Sequence, residues 1–298
     1  MRAVEAMSTT DAVRDFWERN PCGHETSEAA DRLTYFLEIE RRRYESAPWI
    51  RDAACFARFR GQCVLEIGCG MGTDGAQFAQ AGAEYVGVDL TESAVVLARE
   101  NFARRGLEGE FLAVDAERLP FPAGSFDHVY SFGVIHHTPR PQAIVQEIDR
   151  VLRPGGTVTA MVYNRSSINY YAEIMVLRKL ARALLRPAWV PGILARLLGL
   201  PEAKLEGHRI NLLRLPHPTL EQWVSMNTDG PECPLARVYS APEAKALFGG
   251  FEGVGTDVYM FDRSHWPFVG RLVSDRLASA IGRRAGWNRM VYARKGER

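Results

Sequence analysis

At 298 residues and 46% hydrophobic composition, the chain can bury a large core as one or two domains. With 37 basic against 36 acidic residues the formal charge is +1, so no global field points to a nucleic-acid partner. Five scattered cysteines (Cys22, Cys55, Cys63, Cys69 and Cys233), with no C-x-x-C pair, argue against a disulfide framework or a zinc site and fit a reducing, cytoplasmic setting.

The first residues carry an acid at Glu5 and no continuous apolar core, which speaks against a signal peptide. No run of about 18 apolar residues predicts a membrane-spanning helix. Residues 1–60 read as helical. A short helix through Val13–Asn20 ends at the Pro21/Gly23 break, and a charged helix over Leu33–Tyr44 places Phe36, Ile39 and Arg43 at helical spacing.

The densest information follows. Val64-Leu65-Glu66-Ile67 is the apolar run of a strand covered on both faces. Glycines then take alternate positions, Gly68, Gly70 and Gly72, where a left-handed backbone and close ligand approach are possible. Ala76-Gln77-Phe78-Ala79 continues as a helix whose first turn offers free N–H groups. Tyr85-Val86-Gly87-Val88-Asp89 is a second strand, ending in a carboxylate able to accept both hydroxyls of a ribose. Together these features describe a nucleoside site at the carboxyl edge of a parallel sheet. A dinucleotide fingerprint requires G-x-G-x-x-G, but Thr73 stands three residues after Gly70, and the pattern is E-x-G-x-G-x-G from Glu66.

That turn resembles motif I of the class I S-adenosylmethionine (SAM) methyltransferases. Further segments resemble the same family in order. Phe111–Ala116 looks like the third strand and the turn that holds adenine. Leu119-Pro120-Phe121-Pro122 and Ser125–Ser131 look like the fourth strand with its lead-in, and Gly133–His137 like the loop after it. Glu147–Gly156 looks like the helix and Pro-Gly-Gly turn before strand five. The resemblance is close over roughly residues 60–164. It implies an α/β fold: a Rossmann-like seven-stranded doubly wound sheet, last strand antiparallel, with helical N-terminal and inserted lid segments. It divides the chain into an N-terminal helical cover (1–60), a SAM-binding core (61–164), a helical insertion over the acceptor site (165–240) and the C-terminal part of the core sheet (241–298). SAM is the implied methyl donor and S-adenosyl-L-homocysteine the product.

Carried onto this sequence, the cofactor positions are Glu66, Gly68, Cys69, Gly70, Asp89, Leu90, Asp115, Ala116 and Ser131. Asp89 is read as the ribose ligand, with capping of the helix at Thr91 as the alternative. Asp115 is read as the adenine ligand, with a cap before Glu117 as the alternative. Glu66 either touches the ligand or ties the glycine turn together. His136 and His137 follow the fourth strand, where the family places residues near the transferred methyl; imidazole could remove a substrate proton or merely line the pocket. Tyr163, Asn164 and Tyr170 follow the fifth strand, where the acceptor enters, and Tyr44 is a further candidate for substrate contact. Trp17, Tyr35, Tyr44 and Trp49 read singly as core packing and as a set as an aromatic lid against the sulfonium.

Within the insertion, Tyr170–Arg186 and Gly192–Leu198 read as helices broken at Pro187 and Pro191, and a short helix runs through Trp223. Residues 227–234 read as a loop. The basic stretch 178–186 is expected either as a lid over the acceptor or as a peripheral membrane contact. No metal constellation is visible. The expected reaction is methyl transfer to a small-molecule acceptor, oxygen or nitrogen favoured and quinone-like or natural-product-like in character. A nicotinamide-dependent oxidoreductase and a non-catalytic SAM-binding protein are the competing readings. A nucleic-acid substrate is disfavoured, because Ser131-Phe132-Gly133-Val134 stands where base-amino enzymes carry an [Asn/Asp]-Pro-Pro-aromatic run.

Overall fold

A computed structural model describes residues 8–22, 27, 29–198, 201–263, 266 and 272–297. The strands are β1 (Cys63–Ile67), β2 (Glu84–Asp89), β3 (Glu110–Ala113), β4 (Phe126–Phe132), β5 (Leu152–Asn164), β6 (Val238–Tyr239), β7 (Glu252–Tyr259) and β8 (Asn288–Arg294). They form a twisted sheet of order β3-β2-β1-β4-β5-β8-β7, with the two-residue β6 pairing off this path beside Tyr163 and Asn164 of β5. Strands β1 to β5 are parallel, and β8 runs antiparallel between β5 and β7. The expected sheet is therefore present, enlarged by β6, which is too short to leave a periodic signal. The Pro154-Gly155-Gly156 turn is absorbed into the long β5.

Twelve α-helices are described: α1 (Thr9–Arg19), α2 (Arg32–Ser46), α3 (Trp49–Ala54), α4 (Thr73–Gln80), α5 (Glu92–Arg105), α6 (Pro141–Val151), α7 (Arg178–Leu184), α8 (Val190–Leu198), α9 (Glu202–Leu213), α10 (Leu220–Ser225), α11 (Ala241–Leu247) and α12 (Asp275–Ala285). Their starts follow local chemistry. Ser8, Asp31 and Ser274 accept from backbone N–H groups of their first turns, and Thr219–Gln222 and Ser240–Glu243 form reciprocal capping boxes. A π-helix over Asn169–Leu177 runs into α7, so the helix expected from Tyr170 has two geometries. Helices α9 and α12 go beyond the sequence expectation. No helix among the described residues is long and apolar enough to cross a membrane.

Two large apolar clusters cover the two faces of the sheet. One joins Leu65, Ile67 and Val88 to Ile144, Ile148, Val158 and Phe248. The other joins Val64, Phe78, Val95 and Tyr130 to Tyr44, Ile50, Phe56 and Phe59 from the N-terminal helices. The N-terminal segment is thus core on its inner side. Its anchoring is also ionic: the buried Asp74 of α4 accepts from Arg43 Nε (2.7 Å) and Nη2 (2.5 Å), from Tyr44 (2.8 Å) and from Tyr130 of β4 (2.9 Å). Burial pushes the Asp74 pKa up, but Arg43 and these donors outweigh it and hold the carboxyl below its ordinary range.

Candidate active site

The cavity lies at the carboxyl ends of β1, β2 and β4, where the order of the sheet reverses. Its floor is the glycine turn. Gly68 and Gly70 both take positive φ, 76° and 52°. The N–H of Gly68 donates to Val88 O at 2.7 Å and that of Cys69 to the same carbonyl at 3.0 Å, tying the turn to β2. A Cβ at Gly68 would sit 2.0 Å from Val134 Cγ2, whereas one at Gly70 would meet nothing within 4 Å. The first glycine is required by packing; the second opens on the cavity.

Asp89 ends β2 on the cavity wall. Its Oδ2 accepts from Gly70 N at 3.0 Å, and its Oδ1 from Thr91 N and Oγ1 at 3.0 and 2.8 Å. Burial raises its pKa, with these donors opposing. It organises the Thr91 turn, as the capping alternative expects, and also lines the cavity beside Leu90. Asp115 does the same after β3, accepting from Glu117 N at 2.9 Å while lining the cavity with Ala116.

The opposite wall is built from the loop after β4. His137 Nδ1 donates to Leu235 O at 2.7 Å, because only the N–H tautomer can pair with a carbonyl. Nε2 then faces Asp229 Oδ2 across 3.7 Å. Asp229 Oδ1 accepts from Tyr163 Oη at 2.6 Å, and Oδ2, buried, makes no hydrogen bond among the described residues. The loop is held from the 235–237 segment: Arg237 N donates to His136 O at 2.9 Å, and its guanidinium reaches the carbonyls of Thr138 and Pro139 at 3.0 Å. Trp17 of α1 packs edge-on against His137 at 5.2 Å and closes this end with Thr10 and Val13.

Several expected residues stand off the cavity wall. Glu66 is buried beneath the turn, where Tyr85 Oη donates to it at 2.6 Å; burial and the Asp74 charge push its pKa well up. The Cys69 side chain packs behind the turn, and Ser131 is buried within β4 with an unpaired hydroxyl. His136 is fully buried, its ring tilted against that of Tyr163 with centroids 3.9 Å apart and neither ring nitrogen paired among the described residues; burial and neighbouring His137 press its pKa far down. Its neutral ring has no route to a proton in the cavity. Tyr44 points at Asp74. Asn164 ties β5 to β8 by donating to Gly286 O and accepting from Arg289 Nη2. Tyr170 lines a separate open groove with Arg165 and Glu243. Of the aromatic set, Trp17 alone reaches the cavity; Trp49 stacks on Tyr259 at 4.6 Å, and Tyr35 packs against Phe36.

Two charged wall residues go beyond the sequence expectation, Arg43 and Asp229. Arg43 keeps Nη1 free of hydrogen bonds among the described residues while Asp74 fixes its other two nitrogens. Its helical spacing with Phe36 and Ile39 was a signal that it faces inward. Asp229 lies in a Gly/Pro-rich loop, which announces a turn but not where the turn folds back. The fold also brings His137, Asp229 and Cys233 together, their ligand-type atoms all within 4.8 Å of one another, which sequence spacing could not reveal.

The methyltransferase domain family matches residues 65–160. The chain is 34% identical over 139 residues to a ubiquinone biosynthesis O-methyltransferase of Bordetella avium, covering 45% of this chain and 57% of that protein. A protein of the same description from Ralstonia nicotianae is 31% identical over 176 residues, covering 55% and 72%. The matches thus span little more than half the length of the first of these curated relatives. Among solved structures, a possible histamine N-methyltransferase of Thermotoga maritima aligns over 95% of this chain and 99% of its own, with a TM-score of 0.54 at 18% identity. The magnesium protoporphyrin IX methyltransferase of Synechocystis with bound S-adenosylhomocysteine aligns over 97% and 100%, with a TM-score of 0.54 at 13% identity. At those identities the likeness concerns the fold.

Proposed function

Because the chain belongs to the class I SAM-dependent methyltransferase family, we propose that it transfers the SAM methyl group to a hydroxyl of an enclosed, partly apolar small molecule. The observation that carries this reading is one cavity with two chemically different ends. The glycine-turn end fits SAM. Asp89 offers a carboxylate to the ribose, Asp115 and Ala116 flank the adenine position, and the free Arg43 Nη1 offers a cation to the methionine carboxylate. The space over Gly70 admits a ligand against the backbone.

SAM, when bound, supplies an electrophilic methyl on a sulfonium leaving group. At the other end, His137 Nε2 takes the hydroxyl proton as the acceptor oxygen bonds to carbon, and Asp229 Oδ2 stabilises the imidazolium so formed. Leu235 O fixes the tautomer that leaves Nε2 basic. Trp17, Val13 and Met161 supply the apolar wall that excludes water and aligns the acceptor. Oxygen is favoured over nitrogen because the relatives named above are O-methyltransferases. A quinone-like aromatic acceptor suits the same wall.

Calorimetry with SAM, S-adenosylhomocysteine and NADH, followed by mass spectrometry of cell extract incubated with methyl-labelled SAM, tests the reading. Binding of the first two without NADH, and a labelled O-methyl product, are expected. Binding of NADH alone would make the nicotinamide reading the better one, and SAM binding with no labelled product would leave a non-catalytic binder.

A further inference from the structure

From Ile174 to Pro201 the chain contains no aspartate or glutamate but five basic residues, although the whole chain is nearly neutral. The same stretch holds seven exposed large apolar side chains, half of those that stand exposed among the described residues. These two features share one helical hairpin. Leu177, where the π-helix meets α7, and Leu180 and Leu184 of α7 recur at three and four residues and form one stripe. Trp189, just before α8, and Ile193 and Leu197 of α8 recur at four residues, Trp189 being 67% and Leu197 75% exposed. The inward sides of the hairpin already have their own core, in which Leu185, Val190 and Leu194 pack with Leu212 and Trp223. The outer stripes are therefore surplus to folding.

The five cations divide in two. Arg178 is held by Glu173 and Asn227, and Arg182 by the carbonyls of Leu212, Leu215 and Pro216, so both brace the hairpin. Lys179, Arg186 and Arg196 are exposed and pair with no acid among the described residues. Apolar stripes edged by free cations, with a tryptophan at the bend between two prolines, have the chemistry of an interfacial membrane element. A second copy of the chain fits poorly, because a two-fold contact would set the three cations of one copy against the three of the other.

We propose that the α7–α8 hairpin docks this protein on the surface of an anionic phospholipid bilayer, inserting Leu180, Leu184, Trp189, Ile193 and Leu197 while Lys179, Arg186 and Arg196 meet the headgroups. Both helices are far too short to span, so the attachment is peripheral and reversible. The inference does not depend on the identity of the methyl acceptor.

Co-sedimentation of the full chain with vesicles of phosphatidylcholine alone, and of phosphatidylcholine mixed with phosphatidylglycerol, tests it at low and high salt. The protein is expected in the pellet with phosphatidylglycerol at low salt and released at high salt. The triple substitution Lys179→Gln, Arg186→Gln, Arg196→Gln is expected to lower partitioning about a hundredfold, each cation near the surface contributing about fivefold. Leu184→Ser with Leu197→Ser is expected to abolish pelleting with SAM affinity and melting temperature unchanged. Failure of the wild type to pellet at low salt, pelleting indifferent to lipid charge, or unchanged pelleting of either variant overturns the proposal. So does a dimer in sedimentation velocity that Leu184→Ser with Leu197→Ser splits, which would make the stripe a contact between copies.

Discussion

With the His137 ring neutral, its Nε2 and Asp229 Oδ2 confront each other as two acceptors across 3.7 Å, each fixed from behind: the ring by Leu235 O and the carboxylate by Tyr163 Oη. A lone pair facing an anion in a buried site is unfavourable until a proton donor or cation enters between them. Under the proposed function, substrate recognition and proton removal would fall to the same pair. His137→Ala is expected to lose about 10²–10⁴-fold in turnover with SAM affinity retained. Asp229→Asn, which replaces the anion with a neutral amide, is expected to lower kcat more than it changes SAM binding. His136→Phe keeps an aromatic ring against Tyr163 and is expected to retain most turnover. A His136→Phe enzyme as slow as His137→Ala would move the base one residue back.

The nearness of Cys233 gives the pair a second chemical tendency. Burial raises the Cys233 thiol to about 12, so the sulfur is not a ready ligand by itself, but zinc would displace its proton. Added zinc is expected to inhibit by capturing His137 and Asp229, and a chelator to restore activity. A preparation inactivated by chelator and revived by zinc would instead make the trio a working metal centre.

Arg43 and Asp89 are expected to carry opposite ends of SAM. Asp89→Ala should weaken SAM binding by roughly 2–4 kcal/mol. Arg43→Lys, which keeps a cation beside the buried Asp74, should weaken it by about 1.5–3 kcal/mol through loss of the planar fork. Titration calorimetry measures both. Unchanged affinity in Arg43→Lys would assign the methionine carboxylate to another group.

The two glycines should separate stability from binding. Gly68→Ala places a methyl 2.0 Å from Val134 Cγ2 and is expected to destabilise the fold. Gly70→Ala meets no atom, so beyond the strain of its positive φ it should melt near wild type while binding SAM poorly. Melting curves with and without SAM distinguish the two, and equal behaviour would contradict this division.

Acid should unfold the protein through its buried imidazoles. Burial presses the His128 pKa down to about 3, despite the bond to Thr157 Oγ1 at 2.9 Å, and that of His136 also falls far. The unfolded chain binds these protons near pH 6.5 and the folded chain does not, so stability is present above that pH and is lost below it. Between about pH 6.5 and about pH 5 each should remove roughly 2 kcal/mol. His128→Phe, which keeps the stacking on Phe59, should flatten the melting-temperature profile. An unchanged slope would place the acid sensitivity in the carboxylates.

Local chemistry made much of this legible. The apolar run through Ile67, the alternating glycines and the acid ending β2 are each decided within a few residues, and the fold keeps them where their spacing implied. The far wall of the cavity depends on distance in the chain. Asp229 reaches Tyr163 and His137 only because the insertion returns through β6 to pair beside β5, and no periodicity encodes that return. Arg43 lies between these cases: helical spacing turned it inward, but only the position of Asp74 makes it a wall of the site. Glu66 shows the limit of motif reading, since a family position can be occupied for packing, here by an acid held under the turn by Tyr85.

Asp74 collects donors from α2 and from β4, elements separated by 79 residues. Helix α2 therefore completes this contact only once the fourth strand has been made. Until then Arg43 and Tyr44 have nowhere dry to dock. The ligand cavity cannot exist as a partly folded precursor, and a protease that severs α2 from the rest should not yield a trimmed but working enzyme. Its working life should match the lifetime of the whole fold, with loss of the site and loss of the native state occurring as one event.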